Sequence, residues 1–223
     1  MTIPPATVAR LPAYRRALMD AADGGVRTIA SADIADAVGV HPDQVRKDLS
    51  HLATRGVRGR GYDVRALIRE TSTILGLDEE RTVVLVGAGN LGRALAAYGG
   101  FTPQGFRLVA VLDVDDAVLG TDVGGLTVEH LDRLPRIARA QQVDMGVVTV
   151  PGPAAQGVVD AMVAAGIRAV LNFAPVHVRV PDGVAVRRVD LSTELQMLSF
   201  HRSHVDDRER DDGERGDGER NGG

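Results

Sequence analysis

At residue 82 the chain runs Thr82-Val83-Val84-Leu85-Val86 directly into Gly87-Ala88-Gly89-Asn90-Leu91-Gly92, and Arg93–Tyr98 continues as a helical stretch. A short continuous apolar run reads as a strand buried on both faces, so the glycine-rich segment must be a tight turn from a buried strand into a helix. The next apolar run, Leu108–Leu112, ends in Asp113, 21 residues after Gly92. This is the dinucleotide fingerprint. Its glycines allow the turn and the close approach of backbone to a pyrophosphate, which the first N–H groups of the helix stabilise. The acid at the end of the second strand accepts hydrogen bonds from the adenosine ribose and repels a 2′-phosphate, so NAD(H) is expected over NADP(H). The bland alternative is a glycine-rich turn followed by an ordinary strand-end aspartate, in a chain with 26 glycines.

Further apolar runs at Val143–Val150, Ala169–Phe173 and Val184–Val189 alternate with helical stretches around residues 129–141, 154–165 and 191–201. Buried strands alternating with helices predict an α/β fold with a Rossmann-like, doubly wound parallel sheet. Composition agrees, since 44% of residues are hydrophobic but only 3% aromatic, the profile of a core of Ala, Val, Leu and Ile. Ligands of such sheets sit outside the carboxyl ends of the strands. Thr149-Val150-Pro151 and Asn172-Phe173-Ala174-Pro175-Val176 are thus candidates for the nicotinamide half of a site, though each also reads as a proline-containing loop.

The first 75 residues carry the periodicity of short helices. Ser31 is placed as an N-cap for a helix turning Ile34, Ala35 and Val38 inward, and Gly39 ends it. His41 is a poor cap for a second helix with Pro42 at its first position, whose apolar face is Val45, Leu49 and Leu52. Gln44, Arg46, Lys47, Ser50 and His51 are left to point elsewhere. Helix, glycine turn and helix make a helix-turn-helix outline. Arg55-Gly56-Val57-Arg58-Gly59-Arg60-Gly61-Tyr62 follows as a hairpin, its glycines suited to positive φ and Arg58 and Arg60 at its tip, which is the position of a wing. Residues 64–76 then read as a helix ended by Gly76. The formal charge of −4 conceals an asymmetry. Residues 1–70 hold eleven Lys or Arg against eight Asp or Glu, and the excess of acid lies beyond them. The side chains left off the apolar face of the second helix are those that would meet phosphates and base edges, and the arginines of a thin wing suit a minor groove. A solvated face is the alternative.

Several chemistries are excluded or disfavoured. With no cysteine there are no disulfides, thiolate metal sites or cysteine nucleophiles. Lys47, the only lysine, lies in the basic helix, so the Tyr-x-x-x-Lys pair of short-chain dehydrogenases is missing. His130, His177, His201 and His204 combine with no arginine and carboxylate at a defensible spacing. A small dehydrogenase with a basic interaction module, and a nucleotide- or CoA-binding domain tethered to DNA, are the competing functions, the latter disfavoured by Asp113. No run approaches the ~18 apolar residues of a membrane span, and the start has no apolar signal-peptide stretch, so a cytoplasmic protein is expected. The expected division is a winged-helix domain over residues 1–77, a dinucleotide domain over 78–189, a terminal helix over 190–202 and a disordered charged tail over 203–223.

Over about residues 3–200 the chain resembles the Rex family of redox-sensing transcriptional repressors. The resemblance rests on Gln44-Val45-Arg46-Lys47-Asp48-Leu49-Ser50, Arg58-Gly59-Arg60-Gly61-Tyr62, Val86–Leu95, Leu171–Val176 and Val189-Asp190-Leu191-Ser192, in that order. It implies a homodimer that exchanges its C-terminal helix. It also implies NADH and NAD+ as ligands, no catalysis, and inverted-repeat operator DNA bound when NADH is scarce and released when NADH binds. DNA contacts are implied at Gln44, Arg46, Lys47, Ser50, Arg58, Gly59, Arg60 and Tyr62. Cofactor contacts are implied at Gly87, Ala88, Gly89, Asn90, Leu91, Gly92, Tyr98, Asp113, Thr149, Val150, Pro151, Ala174 and Pro175. Arg16, Tyr98 and Asp190 occupy the motifs whose polar partners change with the cofactor. Without the resemblance these three read as a solvated arginine, a core tyrosine and an N-cap aspartate. The chain departs from the family pattern at His51-Leu52-Ala53, where an aromatic pair and a glycine are usual, and at Arg60, where a small apolar residue is common.

Overall fold

The structure, a computed structural model, describes residues 3–199; the tail expected from residue 203 and the end of the expected terminal helix lie outside that range. The chain forms two compact units that divide between Glu80 and Arg81.

The first unit contains α1 (Pro5–Asp23), β1 (Thr28–Ile29), α2 (Ser31–Val38), α3 (Pro42–Leu49), β2 (Tyr62–Asp63) and α4 (Val64–Ile74). α1 is longer than the short helices expected, because Leu11, Tyr14 and Leu18 form one buried stripe against the core of Ile34, Val45, Leu49 and Leu67. Ser31 is not the N-cap of α2. Ala30 takes that place, and the Asp33 carboxylate reaches back to the Ala30 N–H at 3.2 Å. Gly39 does end α2, and Pro42 does open α3, with the His41 Nδ1 accepting from the Asp43 N–H at 3.3 Å. β1 and β2 pair antiparallel, and a bridge between Val57 and Gly61 closes the wing. Gly59 and Gly61 have left-handed backbones, but Gly56 does not. Its requirement is steric, since a Cβ there would lie 2.8 Å from the Tyr62 ring.

The second unit contains β3 (Arg81–Val86), α5 (Asn90–Ala96), β4 (Phe106–Asp113), β5 (Asp122–Val123), β6 (Leu126–His130), α6 (Leu134–Ala140), β7 (Met145–Val148), α7 (Gly152–Ala164), β8 (Ala169–Asn172) and β9 (Ala185–Arg188). Residues 191–199 form a last helix, α8. The sheet order is β5-β6-β4-β3-β7-β8-β9, parallel throughout except for the β5–β6 hairpin. From β6 to β9 this is the Rossmann order, with its switch point between β3 and β7. The helix expected around residues 129–141 starts later, because residues 126–130 form a strand. Gly124 and Gly125, both at positive φ, turn the chain back from β5, and the helix begins only at Leu134.

Side chains alternate across the sheet. Val84, Val86, Leu112, Val148 and Val170 pack under α6 and α7, whose Leu134, Ile137, Val159 and Met162 fill that layer. On the other face Leu85, Val111 and Val147 meet Leu95 of α5 and Val123 and Val128 of the hairpin. No helix links β8 to β9. The second face therefore keeps an open apolar groove of about 700 Å³, lined by residues such as Val83, Leu108, Met145, Val147, Leu171 and Val186.

Candidate functional site

The sheet register brings the predicted nucleotide residues to one edge. Val86 pairs with both Leu112 and Val148, and Val148 pairs with Asn172, so Gly87, Asp113, Thr149 and Phe173 leave the sheet at the same level. The Thr149 hydroxyl donates to the Gly87 carbonyl at 2.8 Å and the Thr149 N–H to the Val86 carbonyl at 2.9 Å. An added Cβ at Gly87, where φ is +112°, would lie 2.7 Å from the Thr149 carbonyl, and one at Gly92 would lie 1.7 Å from the Gly87 carbonyl oxygen. A Cβ at Gly89 would meet nothing within 4 Å. Two glycines are thus demanded by packing, and the middle one opens onto empty space. That is the cradle a pyrophosphate requires at a helix start, and Gly89, as N-cap of α5, offers no side chain to occupy its leading amides.

Asp113 does more than the sequence indicates. Its Oδ2 accepts the Ala88 N–H at 2.6 Å, and its Oδ1 accepts the N–H groups of Val114 and Asp115 at 2.7 and 3.0 Å. It braces the glycine turn and keeps limited acceptor capacity for a ribose. Across the edge the buried Asn172 holds its own loop, its Oδ1 accepting the Ala174 N–H at 2.9 Å and its Nδ2 donating to the Val176 carbonyl at 3.1 Å. Ala174 is buried there and Pro175 exposed, while Val150 and Pro151 lead into α7. Tyr98, by contrast, follows α5 and stands at the mouth of the apolar groove, 54% exposed and edge-on to Phe101 with ring centroids 5.2 Å apart. It is not a core tyrosine.

Asp190 is the cap of α8. Its Oδ1 accepts the hydroxyl and N–H of Ser192 and the N–H of Thr193, and its Oδ2 lies 3.7 Å from Arg188. The Ser192 hydroxyl first, then these N–H groups and Arg188, hold its carboxyl below the usual carboxylate range. Arg16 is exposed and pairs with Asp20 one turn along α1 at 3.5 Å.

In the first unit Arg46, Lys47, Ser50, Arg58, Gly59 and Arg60 are all exposed, and Tyr62 is half-buried with its ring against Gly56 of the wing. The structure turns three expected DNA contacts toward protein partners. Gln44 donates to Asp48 at 3.0 Å, and Arg46 donates to the Ser31 hydroxyl at 3.0 Å and to Asp43. The Ser50 hydroxyl donates to the Lys47 carbonyl at 2.6 Å. The residue the motif reading missed is Asp48. Burial works against its charge, but hydrogen bonds from Arg10, Tyr14 and Thr7 outweigh that and hold its carboxyl at about 2. Burial and Asp48 push the Tyr14 hydroxyl up to about 12. A signal was present: Val45, Asp48 and Leu49 form an inward stripe, and an aspartate in that stripe must have a buried partner. Among the described residues no cluster of three or more His, Asp or Glu is placed to hold a metal, and no helix is long and apolar enough to cross a membrane.

Two family models match the chain, one described as a CoA binding domain over residues 78–176 and one as a putative DNA-binding protein N-terminus over residues 2–50. The redox-sensing transcriptional repressor Rex of Streptomyces griseus subsp. griseus is 52% identical over 199 residues, covering 89% of this chain and 79% of that protein. Its counterpart in Desulfitobacterium hafniense is 46% identical, covering 90% of this chain and 96% of the relative. Among solved structures, RSP, a Rex-family repressor, aligns with a TM-score of 0.82 at 31% identity, covering 94% of this chain and 98% of its own. RSP in complex with β-NAD+ and operator DNA aligns at 0.83 with 32% identity, over 96% and 99% of the two chains. With relatives this similar along nearly its whole described length, the chain belongs to the Rex family of redox-sensing transcriptional repressors.

Proposed function

We propose that this chain is a repressor that reads the NADH/NAD+ ratio, occupying inverted-repeat operator DNA when NADH is low and leaving it when NADH binds. The observation that carries this reading is the coexistence of a pyrophosphate cradle and an exposed basic helix and wing in a chain whose relative RSP was crystallised both with β-NADH and with β-NAD+ and operator DNA. In this reading residues 1–77 bind DNA and residues 78–189 bind the cofactor, and the protein works in the cytoplasm. It is a sensor and not an enzyme, binding NADH stoichiometrically without substrate-dependent turnover.

Gly87–Gly92 take the pyrophosphate and Asp113 the ribose, with Thr149, Val150, Pro151, Ala174 and Pro175 toward the nicotinamide half. Lys47 is exposed on α3, while Arg46 must exchange Asp43 and Ser31 for DNA, and the Ser50 hydroxyl must exchange the Lys47 carbonyl. Arg58, Gly59 and Arg60 form the minor-groove tip supported by Tyr62. Gln44, committed to Asp48, contributes to the shape of α3. Arg16, Tyr98 and Asp190 are the switch candidates. The NAD+ ring carries a positive charge that the NADH ring lacks, so a nearby carboxylate favours the oxidised form, and Asp190 is the acid suited to this.

The repressor acts as a homodimer in which α8 of each copy covers the apolar groove of the other. Leu191, Leu195 and Leu198, spaced along one face of α8, are each more than half exposed, and among the described residues the groove is open. α8, described over residues 191–199, is then the exchanged helix.

The decisive experiment is a mobility shift on the inverted-repeat duplex that the protein selects from a randomised library, with NADH and NAD+ titrated separately. NADH is expected to release the DNA, NAD+ to leave it bound, and Asp190→Ala to bind DNA but respond weakly to NADH. Retention of DNA by the wild type at saturating NADH would end this reading. Separately, Asp113→Ala should weaken NADH binding about 10- to 100-fold and narrow the preference over NADPH, because a charge-assisted acceptor contributes about 1.5–3 kcal/mol. Fluorescence titration of both cofactors checks this, and equal wild-type affinities for NADH and NADPH would remove Asp113 from cofactor discrimination.

A further inference from the structure

The inner face of α3 carries a charge. The Asp48 side chain is 1% exposed and accepts from the Thr7 hydroxyl at 2.8 Å, the Arg10 Nε and terminal nitrogen at 2.6 and 2.8 Å, the Tyr14 hydroxyl at 2.8 Å and the Gln44 amide at 3.0 Å. Thr7, Arg10 and Tyr14 lie along one stripe of α1, and Thr7 and Tyr14 are themselves buried. A second carboxylate secures the chain just past α3, where Glu70 of α4 accepts the N–H groups of Ala53 and Thr54, the latter at 2.8 Å. Neither acid faces outward with Lys47 and the wing arginines.

Burying an ion pair is a weak source of stability, since an apolar pair of similar volume often does as well. What hydrogen bonds add is direction. Val45 and Leu49 alone would let α3 roll on its apolar contacts. A roll of about 30° carries a side-chain tip about 6 Å from the helix axis through about 3 Å, the length of a hydrogen bond. The donors converging on Asp48 from α1 remove that freedom. We propose that Asp48 is a positioning residue for DNA recognition. Anchored by Thr7, Arg10 and Tyr14, it sets the rotation and height of α3, so that operator discrimination depends on a cluster on the inner side of α3, buried at Asp48, Thr7 and Tyr14. This rests on α3 being the recognition helix.

The test measures affinity for the selected inverted-repeat duplex and for a random duplex of equal length across a salt series, in the wild type, Asp48→Asn and Tyr14→Phe. It also measures amide hydrogen exchange over residues 44–50 and in α4 without DNA. Asp48→Asn is expected to lower operator affinity at least 10-fold and Tyr14→Phe about 3- to 10-fold. Random-duplex affinity and the salt slope, which count phosphate contacts, should hold, and exchange should quicken in α3 but not in α4. If Asp48→Asn does not fold, Tyr14→Phe decides alone, since it removes one donor at constant core shape. Unchanged operator affinity in the folded variants overturns the proposal, as does a parallel loss on both duplexes. A wild type that does not distinguish the duplexes would refute the repressor reading instead, and the exchange rates would then still decide whether Asp48 holds α3.

Discussion

Gly92→Ala is expected to abolish NADH binding at cofactor concentrations that saturate the wild type, and to destabilise the second unit by about 1–3 kcal/mol, the usual cost of overpacking. The new methyl would sit 1.7 Å from the Gly87 carbonyl oxygen, which is itself held at 2.8 Å by the Thr149 hydroxyl. No rotamer relieves a clash between Cβ and backbone, so α5 must move away from β3 and take its leading amides with it. Gly89→Ala provides the contrast. Its Cβ would enter open space and its φ of −72° suits any residue, so stability should be kept while the methyl intrudes where the pyrophosphate approaches. Thermal unfolding and NADH titration of the two variants separate the effects. Wild-type NADH affinity in Gly92→Ala would show that the turn is not the cofactor cradle.

If the chain forms the proposed homodimer through α8, Leu195→Asp combined with Leu198→Asp is expected to leave it monomeric and to lower affinity for the inverted repeat by about 10²-fold or more, because each half-site is then bound without the effective concentration supplied by a twin. Both leucines lie on the exposed face of α8, and the sheet groove lined by Val83, Val147 and Leu171 is a concave surface of matching apolarity. The lining is apolar apart from Tyr98, Gln104 and Arg187, so two carboxylates brought into that groove lose more hydration than the one arginine offsets, which disfavours docking. Sedimentation equilibrium reads the oligomeric state, and NADH titration confirms an intact second unit. A dimer that persists with both substitutions would assign the interface to another surface.

Local rules made much of the geometry of the candidate nucleotide site readable in advance. The strand ending at Val86, the glycine turn and Asp113 follow from burial, backbone freedom and a fixed spacing, all confined to about thirty residues, and the register of β3, β4, β7 and β8 then had to bring their ends to one edge. The α2–α3 pair followed from Gly39, Pro42 and the Val45–Leu49 stripe in the same way. The hairpin at residues 122–130 was harder, because Leu126–His130 continues without a break into helical residues and only Gly124-Gly125 marks the reversal.

By itself the sequence determined most of the order of elements outside the β5–β6 hairpin, the glycine turn after β3 and which faces are apolar, since periodicity and backbone conformation are properties of neighbouring residues. Tertiary structure alone decided where the polar side chains went. Gln44 and Arg46, equivalent outward candidates in sequence, have different partners because Asp48 lies one turn from Gln44, while Ser31 of α2 is brought beside Arg46. Asp48 meets Arg10, 38 residues away, and Thr7, 41 residues away, through the packing of α1 on α3. Asp113 reaches back 25 residues to brace Ala88. The groove likewise exists because the second sheet face lacks a helix between β8 and β9. Hydrogen-bond partners and uncovered surfaces depend on which elements come to lie side by side, and no local pattern encodes that adjacency.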